Sequence, residues 1–360
     1  MATPEAQILD VALDRSEVPD EGLPPGRRPR RRRPLLEVLV GVVLVLVAGW
    51  GIGSASANVR LLVALVGGAL LWRGLQTLGR HRYGPTFRLG LWVAVGWLAI
   101  VTFGAVFADV LPIEHWTKAD LSREALRLPP GLRWPEPLGR TTNGYSELSH
   151  VIYGARTSLT IGFVAVAVGL VVGIVVGLFA GWYGRFVDGT ISIGTNTILA
   201  FPPLILILAI VAVYGSTVTT LALALAAISI PTYTRLMRAQ TLAVREREYV
   251  QAAEAMGASN ARLMWREVLP NAILPVVSYS FIIVAVVIVA EGSLSFIGVG
   301  VPSPQPSWGG MIAAGNRYLK TDPHLVFIPA MVMFLTVLSL NRIGEAVRKR
   351  VLISDQTGAA

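Results

Sequence analysis

The chain has 360 residues, 53% of them hydrophobic and 15% charged, with a net charge of +9 and no cysteine. Soluble globular chains carry about 25% charged residues, whereas here the charge is clustered and leaves apolar runs of roughly twenty residues, enough to cross about 30 Å of hydrocarbon. A soluble globular protein is excluded, as are disulfides, thiolate metal sites and cysteine nucleophiles; the expected fold class is an all-α polytopic membrane protein.

Residues 1–34 are polar, end in Arg27, Arg28 and Arg30 to Arg33, and have no apolar period, which predicts a disordered tail. The first apolar run is 35–52. A cleaved signal peptide competes for it, since Ser54-Ala55-Ser56-Ala57 follows, but the long basic segment and span-length run favour retention. Arg32-Arg33-Pro34-Leu35-Leu36 is a weak twin-arginine match. Further runs follow at 61–78, 89–111, 158–180, 191–214, 218–233, 273–299 and 325–343, with polar loops at 112–157 and 301–324 and a basic end at Arg348, Lys349 and Arg350. Eight spans place both termini on one side. Most of the 31 lysines and arginines fall in the segments on that side, which reads as cytoplasmic. The net charge is therefore read as topology rather than as nucleic-acid binding. The arginines at 27–33 also suit anionic lipid.

This orientation puts the polar stretch 235–271 in the cytoplasm. Tyr249, Val250, Ala253 and Met256 recur on one helical face. Gly257 sits where that helix would stop, Ser259 or Asn260 can cap the next, and 262–268 form a second short helix that Pro270 ends. Two helices about a glycine turn resemble a DNA-binding helix-turn-helix, but a segment tethered at both ends to membrane spans lacks free access to a duplex groove. A loop packed on its own bundle is the plain alternative; a docking surface for a protein partner is the favoured reading.

Inside the spans, Glu291 is an ionisable residue and so a functional candidate. Alternatively it is a buried structural group, paired with an outer-loop arginine, or lies near the outer interface. Asn196, with Thr195, either lines a translocation path or joins helices. Ala165, Gly169, Gly173, Gly177 and Gly181 recur every fourth residue and predict close helix packing. There is no Walker-type phosphate loop, and His81, His115, His150 and His324 lie scattered without metal spacing. The chain is expected to be no enzyme. A secondary transporter or channel acting without an ATPase is the rival class; it predicts inverted repeats or several intramembrane charges, and Glu291 stands nearly alone. A membrane anchor without transport would not need a capped two-helix loop.

The stretch Tyr249-Val250-Gln251-Ala252-Ala253-Glu254-Ala255-Met256-Gly257-Ala258-Ser259, followed by Val268-Leu269-Pro270-Asn271, resembles the EAA loop of ABC importer permeases, most closely the C-type subunits of dipeptide, oligopeptide and nickel importers. Three more stretches agree in order: Ile152-Tyr153-Gly154-Ala155-Arg156-Thr157-Ser158-Leu159; Leu199-Ala200-Phe201-Pro202-Pro203; and Glu291-Gly292-Ser293-Leu294-Ser295-Phe296-Ile297-Gly298 with Pro306-Ser307-Trp308-Gly309. The chain departs from the family at Gln251 (usually glutamate), at Glu267 (often histidine), at Asn196 (an aspartate) and through 137–147, where most of an outer Gly-Thr-Asp…Gly-Arg-Asp pattern is missing.

The resemblance implies a type I ABC importer transmembrane fold, a six-helix core at 88–350 with its transmembrane domain at about 155–345. Two extra N-terminal transmembrane helices at 35–82 and tails at 1–34 and 351–360 complete the chain. It implies a permease subunit of a bacterial inner membrane, paired with a second permease subunit as a heterodimer and served by an extracytoplasmic solute-binding protein. ABC ATPase subunits would dock on 246–270, with Tyr249, Gln251, Ala252, Ala253, Gly257, Leu269 and Pro270 as the coupling residues. ATP and magnesium would bind in those partners, with no cofactor in this chain. The implied cargo is peptides or a related ligand such as a nickel complex.

Overall fold

The computed structural model describes residues 34–48, 57–84, 87–122, 126, 128–131 and 136–357. The tail at 1–33, the cleavage-like residues 54–56 and the last three residues lie outside the described residues. Regular structure among the described residues is helical, apart from two isolated bridges, Ala119 with Tyr145 and Arg140 with Ser146. The chain forms two compact units, Met1–Leu89 and Gly90–Ala360.

The first unit is a helical hairpin of α1 (Pro34–Leu46) and α2 (Ala57–Tyr83). Its glycines set the spacing: a Cβ on Gly41 would stand 2.6 Å from the backbone nitrogen of Leu71, and one on Gly74 2.7 Å from Val38. Such small residues let two apolar helices approach closely where hydrocarbon supplies no hydrophobic drive. The described α1 has 13 residues, about 20 Å at 1.5 Å per residue, and 49–52 of the predicted run lie outside the described residues.

The second unit is built from α3 (Leu89–Val106), α4 (Glu147–Tyr183), α5 (Arg185–Ala200), α6 (Pro203–Tyr214), α7 (Val218–Arg245), α8 (Glu248–Ala255), α9 (Asn260–Arg262), α10 (Leu269–Phe296), α11 (Trp308–Gly315) and α12 (His324–Thr357). Over both units, six helices among the described residues are long and apolar enough to cross a membrane, or seven if the bent pair α5–α6 is one span.

That pair corrects the fifth predicted span. The apolar run 191–214 is two helices meeting at 85°. Phe201 and Pro202 are extended, and Pro203 opens α6. Two successive prolines remove two amide donors, and each pushes the residue before it out of helical conformation. Two other boundaries move. α4 starts at Glu147, capped by the Ser146 hydroxyl, which accepts from the Ser149 amide. α7 runs on to Arg245, so residues 235–245 of the polar stretch complete a long helix rather than open a loop.

The core lies where α4, α7 and α10 meet. α4 and α7 run in the same direction along the glycine stripe: Gly169 faces Ser229, Gly173 faces Tyr233, Gly177 faces Met237 and Gly181 faces Thr241. Ile161, Leu178, Leu221, Tyr233, Met237 and Ile288 are fully buried there. One end of this bundle carries α8; the opposite end carries α11.

Candidate functional site

At the α8 end, Val250 is fully buried and Ala253 packs against the same core, which pins one face of α8 to the bundle. Gln251, Ala252, Ala255 and Met256 are exposed on the outward side. Tyr249 is 40% exposed. Gln251 Nε2 donates to the Glu246 carbonyl at 3.2 Å, folding this amide back on the residue that caps the end of α7. α8 ends in paired backbone bonds: the Gly257 amide to the Glu254 carbonyl at 2.9 Å and the Ala258 amide to the Ala253 carbonyl at 3.1 Å. This Schellman arrangement needs a left-handed residue between the two helices, and Gly257 has φ +84°. Of the two candidate caps Ser259 serves, its hydroxyl accepting from the Arg262 amide at 3.4 Å.

The second helix does not end at Pro270. α9 passes through a π-helical segment, Leu263–Val268, straight into α10, so Asn260–Phe296 is one continuous helix. A π turn adds a residue per turn and widens the carbonyl ladder, which is the room a proline ring lacks inside an α-helix. Leu263, Met264 and Val268 of that turn are buried, Leu269 is half-buried, and Pro270 is exposed.

Polar clamps brace this end. Arg245 donates to the Trp182 carbonyl at 2.8 Å, with its guanidinium 5.0 Å from the Trp182 ring centroid. Arg238 grips Asp188 with two nitrogens, one of them 2.6 Å from Oδ2. Arg235 donates to Asn196 Oδ1 at 2.8 Å. Asn196 is exposed and joins α5 to α7; it lies with neither α8 nor Glu291. The bidentate bridge ties α5 to α7, and Arg238 is partly exposed, so Asp188→Asn is expected to cost about 1 kcal/mol. Unfolding titration in mixed micelles measures it, and Arg238→Lys, which keeps the charge without the fork, should recover only part of the loss.

Glu291 lies near the opposite end and is fully buried. Its partners are serines, not the outer-loop arginine considered from sequence. Ser158 donates to Oε2 at 3.1 Å and Ser295 to Oε1 at 2.8 Å. Ser158 Oγ also accepts from the Trp308 amide at 3.2 Å, and Trp308 Nε1 donates to the Val151 carbonyl at 3.1 Å. The carboxyl group thus joins α4, α10 and α11. Alongside it, a Cβ on Gly309 would stand 2.5 Å from Gly292 Cα.

Beyond α11 is a cavity of about 140 Å³ between the start of α4 and the segment 301–325. Glu147 and His150 line it, and both are buried. His150 stacks on Tyr145 with ring centroids 4.7 Å apart, and its Nε2 lies 3.1 Å from the Trp116 carbonyl. Arg140, buried nearby, donates to the Gly144 carbonyl at 2.7 Å and pairs with Glu114 at 3.0 Å and with Glu136. Burial works against the Arg140 charge, but its bonds to Glu136 and Glu114 outweigh that, raising the guanidinium above its ordinary pKa. Hydropathy places these residues in a polar loop; the Ser146-to-Ser149 cap spacing is the signal for a helix there.

A model of the binding-protein-dependent transport system inner membrane component family matches residues 173–353. The dipeptide transport system permease protein DppC of Alkalihalophilus pseudofirmus is 33% identical over 256 residues, 71% of this chain and 83% of that protein. The glutathione transport system permease protein GsiD of Pectobacterium atrosepticum is 32% identical over 259 residues, 72% of this chain and 83% of that protein. A chain of the MetNI methionine ABC transporter in inward-facing conformations is 19% identical with a TM-score of 0.47, covering 57% of this chain and 97% of that one. With its apolar spans and its match to family and relatives alike, the chain belongs to the binding-protein-dependent transport system inner membrane components.

Proposed function

We propose that this permease couples to ABC ATPase subunits through 246–270 and imports peptides or a related ligand such as a nickel complex. The α8 end faces the cytoplasm, with both termini on that side, and the α11 end faces the solute-binding protein. A second permease subunit completes the path as a heterodimer. ATP and magnesium bind in the ATPases, and this chain carries no cofactor. The observation behind the reading is α8 itself: a short helix pinned to the bundle by Val250, capped at both ends of its turn, with Gln251, Ala252 and Met256 presented outward. Small residues and a rigid turn suit a helix that seats in a cleft of another protein. The names of the relatives support the cargo class.

Gly257 supplies the test. A Cβ there meets open space, so a substitution acts through backbone strain alone. Valine at φ +84° costs about 1–2 kcal/mol, roughly a tenfold loss of affinity if the turn must be intact for docking. Gly257→Val is expected to insert normally while co-purifying its ATPases about tenfold less well. Gly257→Asn, which tolerates the left-handed region, should retain them. Wild-type recovery of the ATPases by the valine variant would remove α8 from the coupling role.

A further inference from the structure

The cavity at the α11 end is lined by a buried carboxyl group with one oxygen unpartnered among the described residues. Glu147 is 1% exposed, and its Oε1 has no hydrogen-bond partner among the described residues. Taking a carboxylate out of water costs several kcal/mol unless a charge or donors compensate. Arg140 is engaged by Glu114, Glu136 and the Gly144 carbonyl. His150 Nε2 is taken up by the Trp116 carbonyl. A cationic donor entering the cavity would satisfy the oxygen that the described residues leave unpartnered.

The lining defines what fits. Asn143, Ser303 and Gln305 bring further oxygen acceptors, and Tyr145 an aromatic ring. Among the described residues no group of three acidic, histidine or cysteine side chains could hold a metal ion, and protein-bound calcium draws on about six to eight oxygens, often several carboxylates. One carboxylate, neutral acceptors and a ring suit a monovalent organic cation that carries its own N–H donors. The volume, about 140 Å³, is several times the roughly 10–15 Å³ that one water needs, room for a compact aminoalkyl group.

We propose that this cavity binds a primary ammonium group, carried by a small amine or by the free amino terminus of a short peptide, with the Glu147 carboxylate as its counter-ion. The site needs no ATPase, so its test is independent of the coupling role of α8.

The test is calorimetric titration of the full chain in lipid nanodiscs at neutral pH with ethylammonium chloride, glycylglycine and N-acetylglycylglycine. Binding of ethylammonium, with no binding of the acetylated peptide, is the expected result. Glycylglycine binding as well extends the site to peptides; ethylammonium binding alone restricts it to small amines. Glu147→Gln is expected to weaken binding at least about tenfold. The proposal is overturned if neither ammonium probe binds, if the acetylated peptide binds as well as the free one, or if a folded Glu147→Gln protein keeps wild-type affinity. Should that variant not fold, the comparison of acetylated and free probes on the wild-type chain decides.

Discussion

A valine at position 173 is expected to prevent the helical bundle from assembling. The Cβ it introduces would stand 2.3 Å from Tyr233 Cβ, 3.0 Å from the Thr234 nitrogen and 3.1 Å from the Tyr233 carbonyl carbon. None of these atoms is the free end of a flexible side chain, so relief requires α4 and α7 to separate. Separation opens the contacts at Gly169, Gly177 and Gly181 as well, because one stripe carries them all. Overpacking a core costs about 1–3 kcal/mol where side chains can adjust, occasionally more; with backbone as the obstacle, a loss of about 3 kcal/mol or more is expected. Loss of monodisperse protein after detergent extraction reads it out. Gly189→Ala in α5, where a Cβ meets nothing, is the matched control and should be neutral or stabilising by up to about 1 kcal/mol. If both variants behave alike, the stripe does not set the α4–α7 spacing.

Glu291→Ala is expected to be the second most damaging change. It removes a fully buried side chain, strands the Ser158 and Ser295 hydroxyls that donate to it, and loosens Trp308 through Ser158. A void plus unsatisfied buried donors together cost about 3–5 kcal/mol. Glu291→Gln preserves the shape and one acceptor oxygen, so most of the stability should survive. Thermal unfolding of the two variants separates the roles: a structural carboxyl gives a large gap between alanine and glutamine. Equal and mild effects on stability, with transport lost in both, would instead place the residue in the translocation path.

What could be read from the sequence followed from how local each signal is. The Gly257 turn and the Ser259 cap are set by a few neighbouring residues, and the glycine stripe by a four-residue repeat, so all three were legible. The apolar runs marked the helices but not their ends. Hydropathy ran unbroken through Phe201-Pro202-Pro203 and hid the 85° bend, although the two prolines stood in view. The first turns of α4 carry Glu147, Ser149 and His150, which hydropathy scores as loop; Glu147 and His150 face a segment some 150 residues later in the chain, and Ser149 donates to the Glu114 carbonyl 35 residues earlier. One serine partner of Glu291 has the same character, since Ser158 lies 133 positions away, whereas Ser295 is one turn along the same helix. The π segment is the converse case: Pro270 was legible as a helix breaker, and only the added residue per turn lets the helix pass through it.

That unbroken passage makes the helix from Asn260 to Phe296 a single lever. Its 37 residues measure roughly 55 Å, so a tilt of about 5° at one end sweeps the other through about 5 Å. The π turn is the natural place for such a lever to flex, and there Leu263, Met264 and Val268 are locked into the core. At the far end Gly292 touches Gly309 of α11, and α11 residues line the cavity. One continuous helix therefore joins the α8 end of the bundle to the wall of the cavity.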